Sequence, residues 1–322
     1  MARNIRIFLQ GLLLLLIVGV GCTSAPSSIS SWTAQNGKVK VLSSTGIIDD
    51  LVAEIGGEFV DHTALIMGDV DPHSYELVKG DDEKITFAHV VFANGLNLEH
   101  GASFRYHLEH HSHVVYLGGE IEKIVPDQIL YNDGELDPHI WMDISLWVLA
   151  IDPVIEALSK EDPAHAAQYR ANGEDLRAKM VATHEKISSE LQSFSEEKRY
   201  LVTSHDAFHY FARAYLAEGD THLDRCVAPA GLAPEGQLSV VDIQRVTDHL
   251  CDHKIDVVFP ESNVARGALK KIVASCKHKG LNVRLCESPL YGDAMGHKGS
   301  GADTYLLMLE HNAKVLRDEW AR

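Results

Sequence analysis

The chemistry of this chain rests on four residues that lie just past short apolar runs. His73 sits in Gly68-Asp69-Val70-Asp71-Pro72-His73-Ser74-Tyr75-Glu76 and His139 in Asp137-Pro138-His139-Ile140-Trp141-Met142-Asp143, so an Asp-Pro-His triplet occurs twice. His205 follows Tyr200–Thr203 in Thr203-Ser204-His205-Asp206-Ala207-Phe208, and Asp293 lies in Pro289-Leu290-Tyr291-Gly292-Asp293-Ala294-Met295-Gly296. The proline fixes its own φ and restricts the residue before it, so each triplet can hold an imidazole at a set angle. Three neutral imidazoles and a carboxylate suit Zn²⁺, Mn²⁺ or Fe²⁺. Two donors come from each half of the chain, so an ion held by all four would close the cleft between two lobes. Such binding requires neutral imidazoles and is expected to weaken below roughly pH 6.5. Taken singly, any of the nineteen histidines is ordinary; the position beyond strand ends is what selects these.

A rival constellation is His205-Asp206-Ala207-Phe208-His209, two histidines four apart on an expected helix, as in zinc hydrolases of the HExxH kind. Asp206 stands where a base Glu would be needed and is one methylene short. Of His107, His110, His111 and His113, the pairs His107/His110 and His110/His113 are three apart; the group reads mainly as a solvated helix end, with metal collection as the lesser alternative. His184 reads as a packed residue.

The elements that must position these groups follow from periodicity. Strands are expected at Val39–Leu42, Thr63–Met67, Val90–Ala93, Val114–Leu117, Tyr200–Thr203, Ile255–Phe259 and Asn282–Leu285. Helices are expected at Ile47–Ile55, up to His107, and at Asp206–Tyr215, Val240–His253, Val264–Lys279 and Thr304–Leu316. This alternation predicts an α/β fold of two lobes, each a mainly parallel sheet flanked by helices. Between them, Tyr169, Leu176, Met180, Ile187, Leu191 and Phe194 recur on one helical face and predict a single long helix from Asp162 to about Phe194. Asp162 is its expected cap, Pro163 its first position and Gly173 its weak point. Residues 38–161 are then an N-terminal lobe, 162–196 the linking helix and 197–322 a C-terminal lobe.

The chain has 29 basic and 46 acidic residues, a net charge of −17. That argues against a nucleic-acid partner, which needs Lys/Arg faces. Arg3 and Arg6 precede an apolar run from Ile7 to Val20, too short for a good membrane span and right for a signal-peptide core. Residues 1–21 are read as that signal and 22–37 as a Ser-rich tether beginning at Cys22, the expected lipid anchor. Export to an oxidising space and four further thiols, Cys226, Cys251, Cys276 and Cys286, suggest at least one disulfide, with Cys251 and Cys276 as the pair, and small buried free cysteines are the equal alternative.

The twin Asp-Pro-His loops, Ser204-His205-Asp206-Ala207-Phe208 and Leu290-Tyr291-Gly292-Asp293-Ala294-Met295-Gly296 resemble the zinc/manganese/iron solute-binding lipoproteins of ABC importers, the TroA or ZnuA type. Asn94-Gly95-Leu96-Asn97-Leu98-Glu99 strengthens the resemblance, which runs from Lys38 to the end and is closest to the chlamydial members. It implies a monomeric, periplasmic, membrane-anchored protein that binds one divalent metal ion through His73, His139, His205 and Asp293. It also implies permease and ATPase partners and no enzymatic activity. Zinc-specific members often carry a long His-rich loop between the first two ligands, where this chain has only His107, His110, His111 and His113, whereas manganese members often place Glu at the position of His205. A separate adhesin role is a third class that the residues do not address.

Overall fold

The structure, a computed structural model, describes residues 32–219, 221–234 and 238–322. The signal segment and Cys22 lie outside them. In the N-terminal half, β1 (Val39–Thr45), β2 (Val60–Ile66), β3 (Val90–Ala93) and β4 (Val114–Tyr116) form one parallel sheet in the order β2-β1-β3-β4. Strand β1 is buried along its whole length, as expected for a central parallel strand covered on both faces. Its one charged residue, Lys40, pairs with Asp61 on β2. The hairpin β5 (Tyr131–Asn132) and β6 (Glu135–Leu136) follows. The sequence reading missed this hairpin, along with the helices Asp81–Phe87, Leu117–Ile124 and Ile151–Glu161.

The C-terminal half has shorter strands than expected. Strands β7 (Leu201–Val202) and β8 (Cys226–Val227) pair in parallel, as do β9 (Val257–Val258) and β10 (Arg284–Leu285). A Phe259 N–H to Val202 carbonyl bond of 2.8 Å joins β9 to β7. Two isolated parallel bridges, His205 with Ala230 and Glu261 with Leu290, prolong the pairs beyond their carboxyl ends. Polar residues and Pro260 break the apolar runs there, so pairing continues only as single bridges.

The linking helix is Ala166–Gln192, 27 residues, which is roughly 40 Å at 1.5 Å per residue. Pro163–His165 is a separate 3₁₀ turn, and Asp162 does not cap the long helix. Its carboxylate accepts instead from His165 Nδ1 (2.6 Å) and Tyr169 Oη (2.8 Å). The expected apolar face is buried, and Phe194 lies beyond the helix against Trp320. Gly173 is a contact point with helix Ile151–Glu161. A Cβ there would meet Ile155 Cδ1 at 2.5 Å and Ile151 Cγ2 at 3.0 Å. Lys179 pairs with Glu54 of the first lobe, and Lys186 with Glu310 of the second. One apolar core runs from Ile48 through Trp147 and Met180 to Phe208 and Leu316, so the halves share packing around this helix.

Two further expectations change. Trp32, within the stretch read as tether, is buried and donates from its indole to the Lys84 carbonyl at 3.2 Å. All four described cysteines are free thiols, so the expected disulfide is not formed. Burial, with the neighbouring Cys251 thiol, pushes Cys276 up to about 11. No helix among the described residues is long and apolar enough to cross a membrane.

Candidate metal centre

The two Asp-Pro-His loops share one local device. Asp71 Oδ1 accepts the His73 backbone N–H at 2.9 Å, and Asp137 Oδ1 accepts that of His139 at 3.0 Å. Each aspartate closes a short turn on the residue two ahead, which presents the histidine outward from the loop. The second oxygens diverge. Asp71 Oδ2 takes the Ser74 hydroxyl at 2.8 Å, whereas Asp137 Oδ2 takes His209 Nδ1 at 3.2 Å. Asp137 Oδ1 also contacts His139 Nδ1 at 2.7 Å, which fixes the proton on Nδ1 and turns the Nε2 lone pair away from it.

In the other half, the bridges after β7 and β9 bring His205 beside Glu261. Glu261 Oε1 accepts the N–H groups of Ser204 (2.8 Å) and His205 (2.9 Å). Its Oε2 lies 2.7 Å from His205 Nδ1, at an angle too poor for a straight hydrogen bond. Gly292, just before Asp293, packs onto this carboxylate. A Cβ there would sit 2.9 Å from Glu261 Oε2 and 3.2 Å from Ala207 Cβ. Asn263 Nδ2 donates to Asp293 Oδ2 at 3.1 Å.

The structure brings together all four residues singled out from the sequence. His73 and His139 Nε2 are 3.3 Å apart, and His139 Nε2 is 3.4 Å from Asp293 Oδ1. His205 Nε2 is 3.2 Å from Asp293 Oδ2, and His73 Nε2 is 3.9 Å from Asp293 Oδ1. One ligand atom from each lies within 4.8 Å of the others, and all four residues are buried. Bonds of about 2.0–2.1 Å to a tetrahedral ion place neighbouring ligand atoms about 3.3–3.4 Å apart. Three of these spacings, 3.2, 3.3 and 3.4 Å, fall at that value, and the fourth, 3.9 Å, is longer. Among the described residues, His205 Nε2 and Asp293 Oδ1 have no hydrogen-bond partner. With the rings neutral, both are buried acceptors without a donor, a state that either protons or a cation relieves.

The charges fit the same picture. Burial holds His73 below the ordinary imidazole value, so it is neutral. Burial also works against a charged His139, but Asp137 and Asp293 outweigh it and raise the ring to about 9. At His205, burial is again opposed and outweighed, here by Asp293 and Glu261, and the ring is held well above its usual value. Burial disfavours the Asp293 carboxylate, yet His205, His139 and His73 keep it well below its usual range. Without an ion, protons on His139 and His205 balance the carboxylates.

The hydrolase constellation does not assemble. The helix begins at His209, so His205 and His209 are not one turn apart on a helix. His209 Nε2 is 3.8 Å from Asp206 Oδ1, and its Nδ1 faces Asp137. The sequence reading placed His209 outside the site; the structure makes it a support for Asp137. Glu261 and Trp141 were also missed. The doubled Asp-Pro-His was a usable signal for Asp137, whereas nothing in the sequence joins Glu261 to His205. His107 and His110 bond back to the Ser103 and Tyr106 carbonyls of their own helix, consistent with a solvated helix end. His184 Nδ1 meets Tyr215 Oη at 3.0 Å, a packed residue as expected.

A buried three-histidine, one-aspartate cluster between two α/β halves joined by a long helix is the pattern of a metal solute-binding protein. The family described as zinc-uptake complex component A, periplasmic (ZnuA), matches residues 41–319, and the chain belongs to it. Metal-binding protein YtgA of Chlamydia muridarum is 36% identical over 314 residues, covering 94% of each chain. The crystal structure of Fe(III)-bound YtgA from Chlamydia trachomatis superposes with a TM-score of 0.82 at 36% identity, covering 88% of this chain and 98% of that one. The periplasmic zinc-binding protein TroA from Treponema pallidum gives 0.81 at 29% identity, covering 89% and 100%.

Proposed function

We propose that this protein captures one divalent transition-metal ion between its lobes and delivers it to the permease of an ABC importer on the outer side of the membrane. His73, His139, His205 and Asp293 hold the ion, with Asp137 and Glu261 orienting two of the imidazoles. The observation that carries this reading is the convergence of four buried donors at the edge lengths of a coordination tetrahedron. Four protein donors complete the shell, which suits capture; a catalytic metal keeps a position open for substrate.

Two relatives are named for different ions, Fe(III) and zinc. Here the donor set of three nitrogens and one oxygen favours Zn²⁺ over Fe²⁺ and Mn²⁺. Delivery requires the halves to part, because His73 and His139 belong to one and His205 and Asp293 to the other. The chain works as a monomer that is exported by its signal segment and tethered through a lipid on Cys22, where two or more acyl chains give stable attachment. The test is elemental analysis of protein purified without added metal, followed by calorimetric titration of Zn²⁺, Mn²⁺ and Fe²⁺. One tightly bound equivalent is expected, with Zn²⁺ the tightest. No binding of any of the three would overturn the reading.

A further inference from the structure

We propose that Asp224, His249 and His253 form a second, solvent-facing site for a borderline divalent ion such as Zn²⁺. It lies at the opposite end of the C-terminal lobe from the central donors and is independent of them. His249 and His253 are four apart near the end of helix Val240–His253, so their rings share one face of the helix. Asp224 comes from the short helix His222–Arg225 that leads into β8. One ligand atom from each of the three lies within 4.8 Å of the other two. His253 Nε2 is 3.5 Å from Asp224 Oδ1, and the two imidazole centroids are 4.5 Å apart.

A second observation points the same way. His249 Nε2 is buried and, among the described residues, has no hydrogen-bond partner. Behind the pair, the Tyr200 ring lies 4.6 Å from His253 and 5.8 Å from His249, a floor that limits how the imidazoles can turn. Arg225 lies over the Tyr200 ring at 4.5 Å, and both it and Arg245 have partners of their own. Arg225 binds Glu196, and Arg245 donates to the Ala228 carbonyl at 2.7 Å.

Tyr200 precedes β7, whereas His205 follows it, so this site faces the amino end of the strand and the central donors its carboxyl end. Two imidazoles and a carboxylate give three protein ligands. The remaining coordination positions face solvent, because Asp224 is exposed and both histidines are partly so. An ion held this way is weaker-bound and faster to exchange than one closed inside four buried donors.

The experiment is calorimetric titration of Zn²⁺ into metal-stripped full-length mature protein, with Co²⁺ absorption as a second probe. The set is wild type, His249→Ala, His253→Ala, Asp224→Asn and His139→Ala. Wild type should bind two equivalents. Each of the first three variants should weaken the second equivalent at least tenfold and leave the first unchanged, with the same melting temperature. His139→Ala should remove the tighter equivalent and keep the weaker one, so failure of the central site is read separately. A wild type that binds a single equivalent overturns the proposal. So does a second equivalent that survives in His249→Ala, His253→Ala and Asp224→Asn.

Discussion

The indole nitrogen of Trp141 donates to the carbonyl oxygen of Gly292 at 2.9 Å. Trp141 is two residues past His139, and Gly292 is one residue before Asp293, so this bond ties a donor loop of one half to a donor loop of the other. Tyr305 Oη adds a 2.7 Å bond to the Trp141 carbonyl from the C-terminal helix. Trp141→Phe keeps one aromatic ring but removes the N–H together with the five-membered ring of the buried indole. The hydrogen bond alone contributes about 1 kcal/mol, so Zn²⁺ affinity should fall at least roughly fivefold. Calorimetric titration checks this, and an unchanged dissociation constant would show that the bond does not hold the closed form.

Ligand and support residues should separate in magnitude. His139→Ala and Asp293→Ala should each weaken Zn²⁺ binding by at least about a hundredfold. Asp137→Asn should lie in the range of roughly 10–100-fold typical of groups that orient a ligand. His209→Ala should fall at or below the bottom of that range, because it acts only through Asp137 Oδ2. If His209→Ala proved more damaging than His139→Ala, the assignment of ligands would be wrong.

The pH dependence should extend above the ordinary imidazole range. From residue type alone, affinity drops below roughly pH 6.5. With His139 raised to about 9, the ion must displace a proton at neutral pH, so affinity should keep climbing up to about pH 9. Titration in buffers of different ionisation enthalpy should reveal proton release at pH 7.5. The sign for the ion-free protein is opposite. A raised histidine contributes stability that is full below its unfolded value of about 6.5 and is lost as pH rises through about 9. Melting temperature in chelator should therefore fall from pH 6.5 to 9, while the gain on adding Zn²⁺ grows. Equal metal affinity at pH 6.5 and 8.5 would contradict this.

Gly173→Ala tests the helix contact. Alanine is the better helix former by about 1 kcal/mol, yet its methyl would press on Ile155 and Ile151. Overpacking of this kind costs about 1–3 kcal/mol. The variant should melt at a lower temperature in chelator; a higher one would mean that the neighbouring helix yields.

Cys22→Ala should release the protein from membranes or block its maturation. Fractionation of cells expressing the variant provides the check. Unchanged processing and continued membrane association would rule out anchoring through Cys22.

Much of this protein was legible in its sequence because local rules decide it. Apolar runs in βα alternation gave β1 and β3, and the stripe from Tyr169 to Leu191 gave the long helix. Position beyond strand ends selected His73, His139 and His205 out of nineteen histidines, and Asp293 with them. Tertiary structure decided what local rules cannot encode. The C-terminal strands pair over two residues only, between segments far apart along the chain, and continue as single bridges. Asp162 serves Tyr169 and His165 instead of capping the long helix, since the intervening 3₁₀ turn draws its carboxylate away. Glu261 meets His205 across 56 residues of chain only because two short parallel pairs lie side by side. His209, four residues on from one proposed ligand, supports another through Asp137. Residue type and spacing fix which atoms can bind an ion, whereas the distances, protons and supporting carboxylates that tune the site come from long-range packing, whose energy depends on partners that no sequence window contains.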